Sequence, residues 1–411
     1  MRRRPSPWLI LVVILLGAFI LREERLQRVE DILLAWFLEN SESTLPPAQV
    51  TQVEIGREDF QRLTPAEERK PLPKGQAVRR SLSPLEYALF LQAILEFQPT
   101  VIGIEPVVIW RERDKTQEQV FIDQAMRVPK LLTAIELGGK GPSDLAADDL
   151  PTLPEVSGPR TYLAEFSGVK RQPDEDIRLI STPGFTNLPN GWSDRIRVPM
   201  LFEYRGEVVP SFPLQAIMLW LRLTPADVKV ELGAQISLPN GWKIPLHLDG
   251  TTTINPVARQ RVHRLSFSQL LLAAQEHEKH LPPTRDVGDL KDQIILLRIA
   301  DDPLQPPEVF AAAIATIQGN VYVRPASKMI AWIIILVAAL LSCFLWMISK
   351  TNLFLGAIIF SAGYAMVVLA VLSRDQVWLP TFLPLMLLWF LVVVRFFSTG
   401  PAIKHEIAAT G

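Results

Sequence analysis

A chain of 411 residues, 48% of them apolar, can build one large or two ordinary domains, and a formal net charge of -1 excludes binding to nucleic acid or an acidic partner by bulk attraction. Its single cysteine, Cys343, lies in an apolar run and excludes an intrachain disulfide framework and a thiolate metal site. Its 34 prolines, mostly in the middle of the chain, imply many rigid loops.

In chain order, a cytoplasmic N-terminus (1–7) precedes an apolar run at 8–21, Trp8 to Leu21. Three further runs crowd the other end, at 329–348, 353–372 and 377–397, ahead of a short tail at 398–411. A helix needs about 20 apolar residues to cross a bilayer core. The three late runs reach that length; the first is shorter, and Arg4 and Arg22 can snorkel to the two interfaces to extend it. Ala18-Phe19-Ile20-Leu21-Arg22 is a poor signal-peptidase site, so a retained anchor is favoured over a cleaved signal peptide. Arg2, Arg3 and Arg4 set the N-terminus on the cytoplasmic side, and Lys350, Arg395 and Lys404 then fall inside as well. Arg374 dissents but is neutralised by Asp375. Residues 22–327 are expected to form a large extracytoplasmic domain. The centres of the runs carry no Asp, Glu, His or Lys, which argues against a transport path.

The stripe Leu26, Val29, Ile32, Leu33, Trp36 and Phe37 predicts a helix within residues 22–45, expected to pack on the domain core; a signalling or dimer stalk is the sharper alternative. Val50–Ile55 reads as a strand. Ser83, Pro84 and Glu86 start a helix with a capping box, running to about Phe97. Thr100 to Ile109 is a buried, β-branched strand, followed by a helix over residues 118–127 and a strand over 130–137. This β-α-β-α-β order predicts a mainly parallel sheet flanked by helices. Residues 138–176 are loop-rich, and from 177 to 248 antiparallel hairpins are expected. There Leu-Pro-Asn-Gly-Trp occurs twice, at residues 188–192 and 238–242. Two Asn-Gly hairpin turns are the simpler reading; a twin ligand motif with a Trp platform is the other. Helices over 211–223 and 266–277, a strand over 293–299 and a helix over 307–318 complete the domain.

The chain carries no phosphate loop, nucleophile elbow or zinc-protease motif, so no catalytic residue, cofactor or metal is assigned. His277 and His280 with Glu276 and Glu278 lack metal-ligand spacing and read as a solvated helix end. Ligands of open parallel sheets sit outside the carboxyl ends of the strands. Those ends carry Arg57, Glu58, Glu105, Arg111, Glu136, Arg298, Asp301 and Asp302. Of these, Arg57, Glu58, Glu105, Arg111, Arg298, Asp301 and Asp302 are the candidate ligand-binding residues; ion pairs closing a loop face are the alternative.

In several stretches the sequence resembles the type-two CHASE domain, a sensory extracytoplasmic domain associated with cyclases and histidine kinases. Residues 83–108 resemble the family's helix followed by its Pro-x-x-Ile-Gly-x-Asp strand, with Glu105 in place of Asp. Residues 184–199 resemble a Gly…Asn…Asp…Arg-x-Pro stretch through Asn187, Asp194 and Arg197. Ile244-Pro245-Leu246, Asp249-Gly250 and Ile254-Asn255 resemble an Ile-Pro-Leu…Gly…Ile-Asn hairpin, and residues 375–384 the entry to the last span. Around residues 297–311 the family's glycines and histidine are replaced. The resemblance implies an α/β extracytoplasmic domain, mainly parallel with antiparallel hairpins, and four transmembrane helices, one N-terminal and three C-terminal. It implies a non-enzymatic signal-input protein of the bacterial inner membrane, with a periplasmic domain that senses a ligand or envelope protein. With no effector domain expected in the tail, output passes to a protein partner in the membrane or periplasm; a homodimer or larger complex is left open. A structural or assembly subunit of an envelope complex is the competing expectation.

Overall fold

The computed structural model describes residues 7–22, 24–39, 48–56, 59, 82–110, 114–139, 150–188, 196–282, 284, 287–300, 309–344, 349–375 and 377–397. The longer elements run in chain order as α1 (Pro7–Arg22), α2 (Glu24–Glu39), β1 (Val50–Ile55), α3 (Pro84–Leu95), β2 (Val101–Ile104), α4 (Lys115–Ala125), β3 (Leu131–Gly138), β4 (Gly168–Arg171) and β5 (Thr182–Phe185). There follow α5 (Phe212–Trp220), β6 (His263–Ser266), α6 (Phe267–Glu278), β7 (Ile294–Ile299), α7 (Val309–Gly319), α8 (Lys328–Phe344), α9 (Lys350–Asp375) and α10 (Phe382–Phe397). They form two compact units, Thr44–Tyr322 and Met1–Ser43 with Val323–Gly411.

In the first unit, six strands lie parallel in the order β6-β1-β7-β2-β3-β5, and β4 runs antiparallel along the far end of β3. Period-two alternation divides each buried strand between two cores. Ile294 and Leu296 of β7, Val101 of β2 and Leu132 and Ala134 of β3 pack with α5 and α7. Ile295, Leu297 and Ile299 of β7, Ile102 and Ile104 of β2 and Val53 and Ile55 of β1 pack with α3, α4 and α6. The sheet is thus covered on both faces, which is why its strands read as continuous apolar runs. Helix starts are written locally: Ser83 with Glu86 and Ser266 with Gln269 form capping boxes, and the Asp114 carboxylate accepts from the Thr116 and Gln117 N–H groups.

Smaller antiparallel pairs follow β5. Leu201–Tyr204 and Glu207–Pro210 form a hairpin whose two-residue turn has positive φ at Arg205 (52°) and Gly206 (85°). Gln235–Ser237 and Lys243–Pro245 form another around the second Asn-Gly, with Trp242 tilted against Trp220. That copy of the repeat is a hairpin; most of the first lies outside the described residues. Two expectations are corrected. The strand expected to reach Ile109 ends at Ile104, because Pro106 cannot donate to a ladder, and Ile109 is exposed. Residues 182–185, expected among the antiparallel hairpins, pair parallel with β3 and extend the main sheet.

In the second unit, α1, α8, α9 and α10 share an apolar core of Val13, Ile20, Ala331, Ile335, Leu353, Leu387 and Leu391. Gly17 lets α1 and α8 approach closely: a Cβ there would sit 2.7 Å from Ile335 Cγ1. The helices are apolar on the outside too, with Leu15, Phe19, Leu336, Leu340, Leu355, Ile359 and Met366 exposed. Lys350–Arg374 is one helix long and apolar enough to cross a membrane. Helix α2, whose stripe was expected to pack on the core of the large domain, belongs to this unit, and its Phe37 packs edge-on against Trp378 at 5.6 Å. The last apolar run also begins differently: Val377 and Trp378 form a short strand, and helix starts only at Phe382, after Pro380.

Candidate functional site

The parallel register brings charges together at the carboxyl end of the sheet. Glu54 of β1 lies opposite Arg298 of β7, and Leu297 lies opposite Ile104 of β2. The Glu105 N–H donates to the Leu297 carbonyl at 3.0 Å, so Glu105 continues the row on the far side of Arg298. Alternation puts Glu54, Arg298 and Glu105 on the face covered by α5 and α7. Glu105 is only 3% exposed, and none of the three stands without an interaction of its own. A buried carboxylate is tolerated only where charges or donors meet it, and the register sets Arg298 on the strand beside Glu105.

Topology marks the same place. β1, β2 and β6 are followed by α3, α4 and α6 on one face, whereas β7, between β1 and β2, is followed by α7 on the other. Where neighbouring connections part to opposite faces, a crevice opens beyond the strand ends. Arg298 stands at that point.

Among the described residues, the buried Gln52 Nε2, Ser211 Oγ and Gln215 Oε1 on the α5 and α7 side make no hydrogen bond. Ser211 is the N-cap of α5, yet its hydroxyl makes no capping bond. Phe212 beside it lies flat on the sheet: a Cβ at Gly184 would come within 2.7 Å of its ring and one at Gly103 within 3.1 Å. Phe310 of α7 stacks on Phe212 at 5.6 Å. On the other face, the buried Asp59 carboxylate accepts from the Gly56 N–H at 2.9 Å and the Ser268 N–H at 3.1 Å, fastening the end of β1 to the first turn of α6.

Of the strand-end residues named from the sequence, the structure brings Glu105 and Arg298 to adjacent strands on one face. Arg57, Glu58, Arg111, Asp301 and Asp302 lie outside the described residues. Glu136 is held by Lys170 at 2.7 Å and Arg171 at 2.5 Å, an edge clamp between β3 and β4. His277 lies 3.9 Å from Glu96 and against Phe97, and among the described residues no cluster of three or more metal-ligating side chains occurs. Sequence reasoning passed over Glu54, Asp59, Ser211 and Gln215. Gln52 and Glu54, two polar residues on one face of an otherwise apolar strand, were the available signal; nothing local marks Asp59.

The residues that carried the family resemblance turn out to position the scaffold. Gly103 and Gly184 make room for Phe212. The Asn187 side chain both donates to and accepts from the Leu137 backbone, prolonging the ladder past β5. Asn255 caps a short helix and donates to the Val321 carbonyl. Gly250, at φ 74°, has no room for a Cβ beside Leu163 and Leu201.

The larger unit is thus a mainly parallel sheet covered on both faces, with a row of charged residues at its switch point. The chain belongs to the CHASE2 domain family, whose model matches residues 10–349. CHASE2 is a sensory extracellular domain family, consistent with signal input. Comparisons with curated proteins and with solved structures gave no match.

Proposed function

We propose that this protein is a signal-input protein of the bacterial inner membrane. Its periplasmic CHASE2 domain senses a small polar ligand at the Glu54–Arg298–Glu105 row and passes the signal to a protein partner. The observation that carries the reading is that row itself, at the switch point of a sensory-family domain. A guanidinium flanked by two carboxylates suits a ligand bearing charges of both signs. Arg57, Glu58, Arg111, Asp301 and Asp302, close in sequence to the same strand ends, are the further candidates for substitution.

Helices α1, α8, α9 and α10 of the helical unit are read as four spans, since their outer surfaces are apolar as lipid-facing surfaces must be. Arg2, Arg3 and Arg4 place the N-terminus in the cytoplasm. A ligand moves such a module only by its difference in affinity for two states.

The test is a thermal-shift screen of the full chain in lipid nanodiscs against amino acids, dicarboxylates and polyamines, with affinity purification from native membrane alongside. A ligand whose stabilisation disappears in Arg298→Ala and weakens in Glu105→Gln is the expected result. A stoichiometric complex with no ligand response would replace this reading with that of an assembly subunit.

A further inference from the structure

The two backbone connections to the α/β part of the CHASE2 domain, Thr44–Tyr322, leave the helical unit after Ser43 and return to it at Val323. Within the helical unit, the segments that carry these connections meet on one stretch, residues 377–382. From α2, the Glu30 carboxylate accepts from Trp378 Nε1 at 2.8 Å, from the Thr381 N–H at 2.5 Å and from the Phe382 N–H at 2.8 Å. One turn pair further on, Phe37 packs against the Trp378 ring. From the returning segment, Arg324 and Pro325 pair in parallel with Val377 and Trp378, and the Ala326 N–H donates to the Trp378 carbonyl at 2.8 Å. The Tyr364 hydroxyl of α9 donates to the Pro380 carbonyl at 2.8 Å. Trp378 and Thr381 are both buried.

Glu30 holds a particular place in this joint. The first N–H groups of a helix lack partners within it, and a negative charge there is favourable. The first turn of α10 carries no acid of its own. Its cap is supplied from α2, so what would be a local cap becomes a link between the first span's extension and the last membrane helix.

We propose that Glu30 is a positioning residue that couples displacement of the CHASE2 domain to the last membrane helix through Trp378 and the first turn of α10. This rests on the signal-input reading above and names its route of transmission. The domain is joined in sequence to α2 on one side and to residues 323–326 on the other, and both segments are fastened to the same stretch, residues 377–382.

The test is hydrogen exchange on the full chain in nanodiscs across the urea range that unfolds the CHASE2 domain, followed at the amides of Thr381 to Leu383. In the unsubstituted chain, exchange at these amides should rise with the domain's transition. In Glu30→Ala it should be about tenfold faster throughout, the size of one lost cap, and should no longer follow that transition. Trp378→Phe, which keeps the ring against Phe37 and loses only the indole N–H, should loosen the dependence in part, and it serves if Glu30→Ala fails to insert. Two results would overturn the proposal: amides indifferent to domain unfolding in the unsubstituted chain, or faster exchange in Glu30→Ala that still follows the domain as before, the mark of a cap and nothing more. Either leaves the signal-input reading standing, because that is decided by the ligand screen and the purification.

Discussion

The two units handle polarity in opposite ways. The CHASE2 domain hides its apolar side chains between sheet and helices and still buries Gln52, Asp59, Glu105, Gln215 and Asn255. Among the described residues of the helical unit, Thr381 is the buried polar side chain, while large apolar groups such as Phe19, Leu340, Ile359 and Met366 face outward. One unit keeps its large apolar groups inside together with several polar ones; the other turns large apolar groups outward and gathers polar contacts around residues 377–382. Polar groups buried in the first are therefore expected to specify a site, and those in the second a joint.

The sharpest way to break this contrast is at Phe212, whose ring fills the space left by Gly103 and Gly184. Phe212→Ala should destabilise the CHASE2 domain by about 3–5 kcal/mol, the range for removing a buried aromatic side chain. Urea titration monitored by near-UV circular dichroism measures it, and a loss below about 1 kcal/mol would mean the domain is not organised around this contact. Next in size is Ile359→Arg on the exposed face of α9. On a water-facing helix the change would be nearly neutral. At the centre of a span it should cost about 2.5–3.5 kcal/mol and lower the inserted fraction in a glycosylation-mapping assay. Undiminished insertion would take α9 off the lipid surface.

Much of this was legible in the sequence because it depended on local rules. Ser83-Pro84 with Glu86 marked α3, β-branched runs marked β1, β3 and β7, and apolar stretches marked α1, α8 and α9. What could not be read was which distant segments are brought together. β7 inserts between β1 and β2, and only that insertion sets Arg298 between Glu54 and Glu105. The stripe on α2 announced a partner without naming it; the partner is Trp378, far along the chain. Of the candidate site, Glu105 and Arg298 were found because strand ends can be guessed from composition. Ser211 and Gln215 were passed over because they come from a helix whose placement on the sheet is a tertiary fact.

The smallest expected effect lies at the edge of the same sheet. Burial alone pushes the Glu136 carboxyl up, but the hydrogen bonds and charges of Lys170 and Arg171 outweigh it, so its pKa ends below the ordinary value of 4.5. A carboxylate depressed in the folded state adds stability that is fully present above its unfolded value. That stability declines as the pH falls below about 4.5 and is gone once the pH passes through the lower, folded value. Because Lys170 is largely exposed, solvent screening holds the contribution below about 1 kcal/mol. Glu136→Gln should therefore leave the acid side of the domain's stability profile flatter between pH 5 and the folded value, with little change at pH 7 beyond the lost pairing. If the profile keeps its full acid slope in Glu136→Gln, the protons that unfold the domain are taken up elsewhere. The half-buried Glu54 and the buried Glu105 at the switch point would then become the groups to titrate, and the polar interior of the domain rather than its clamped edge would set its acid limit.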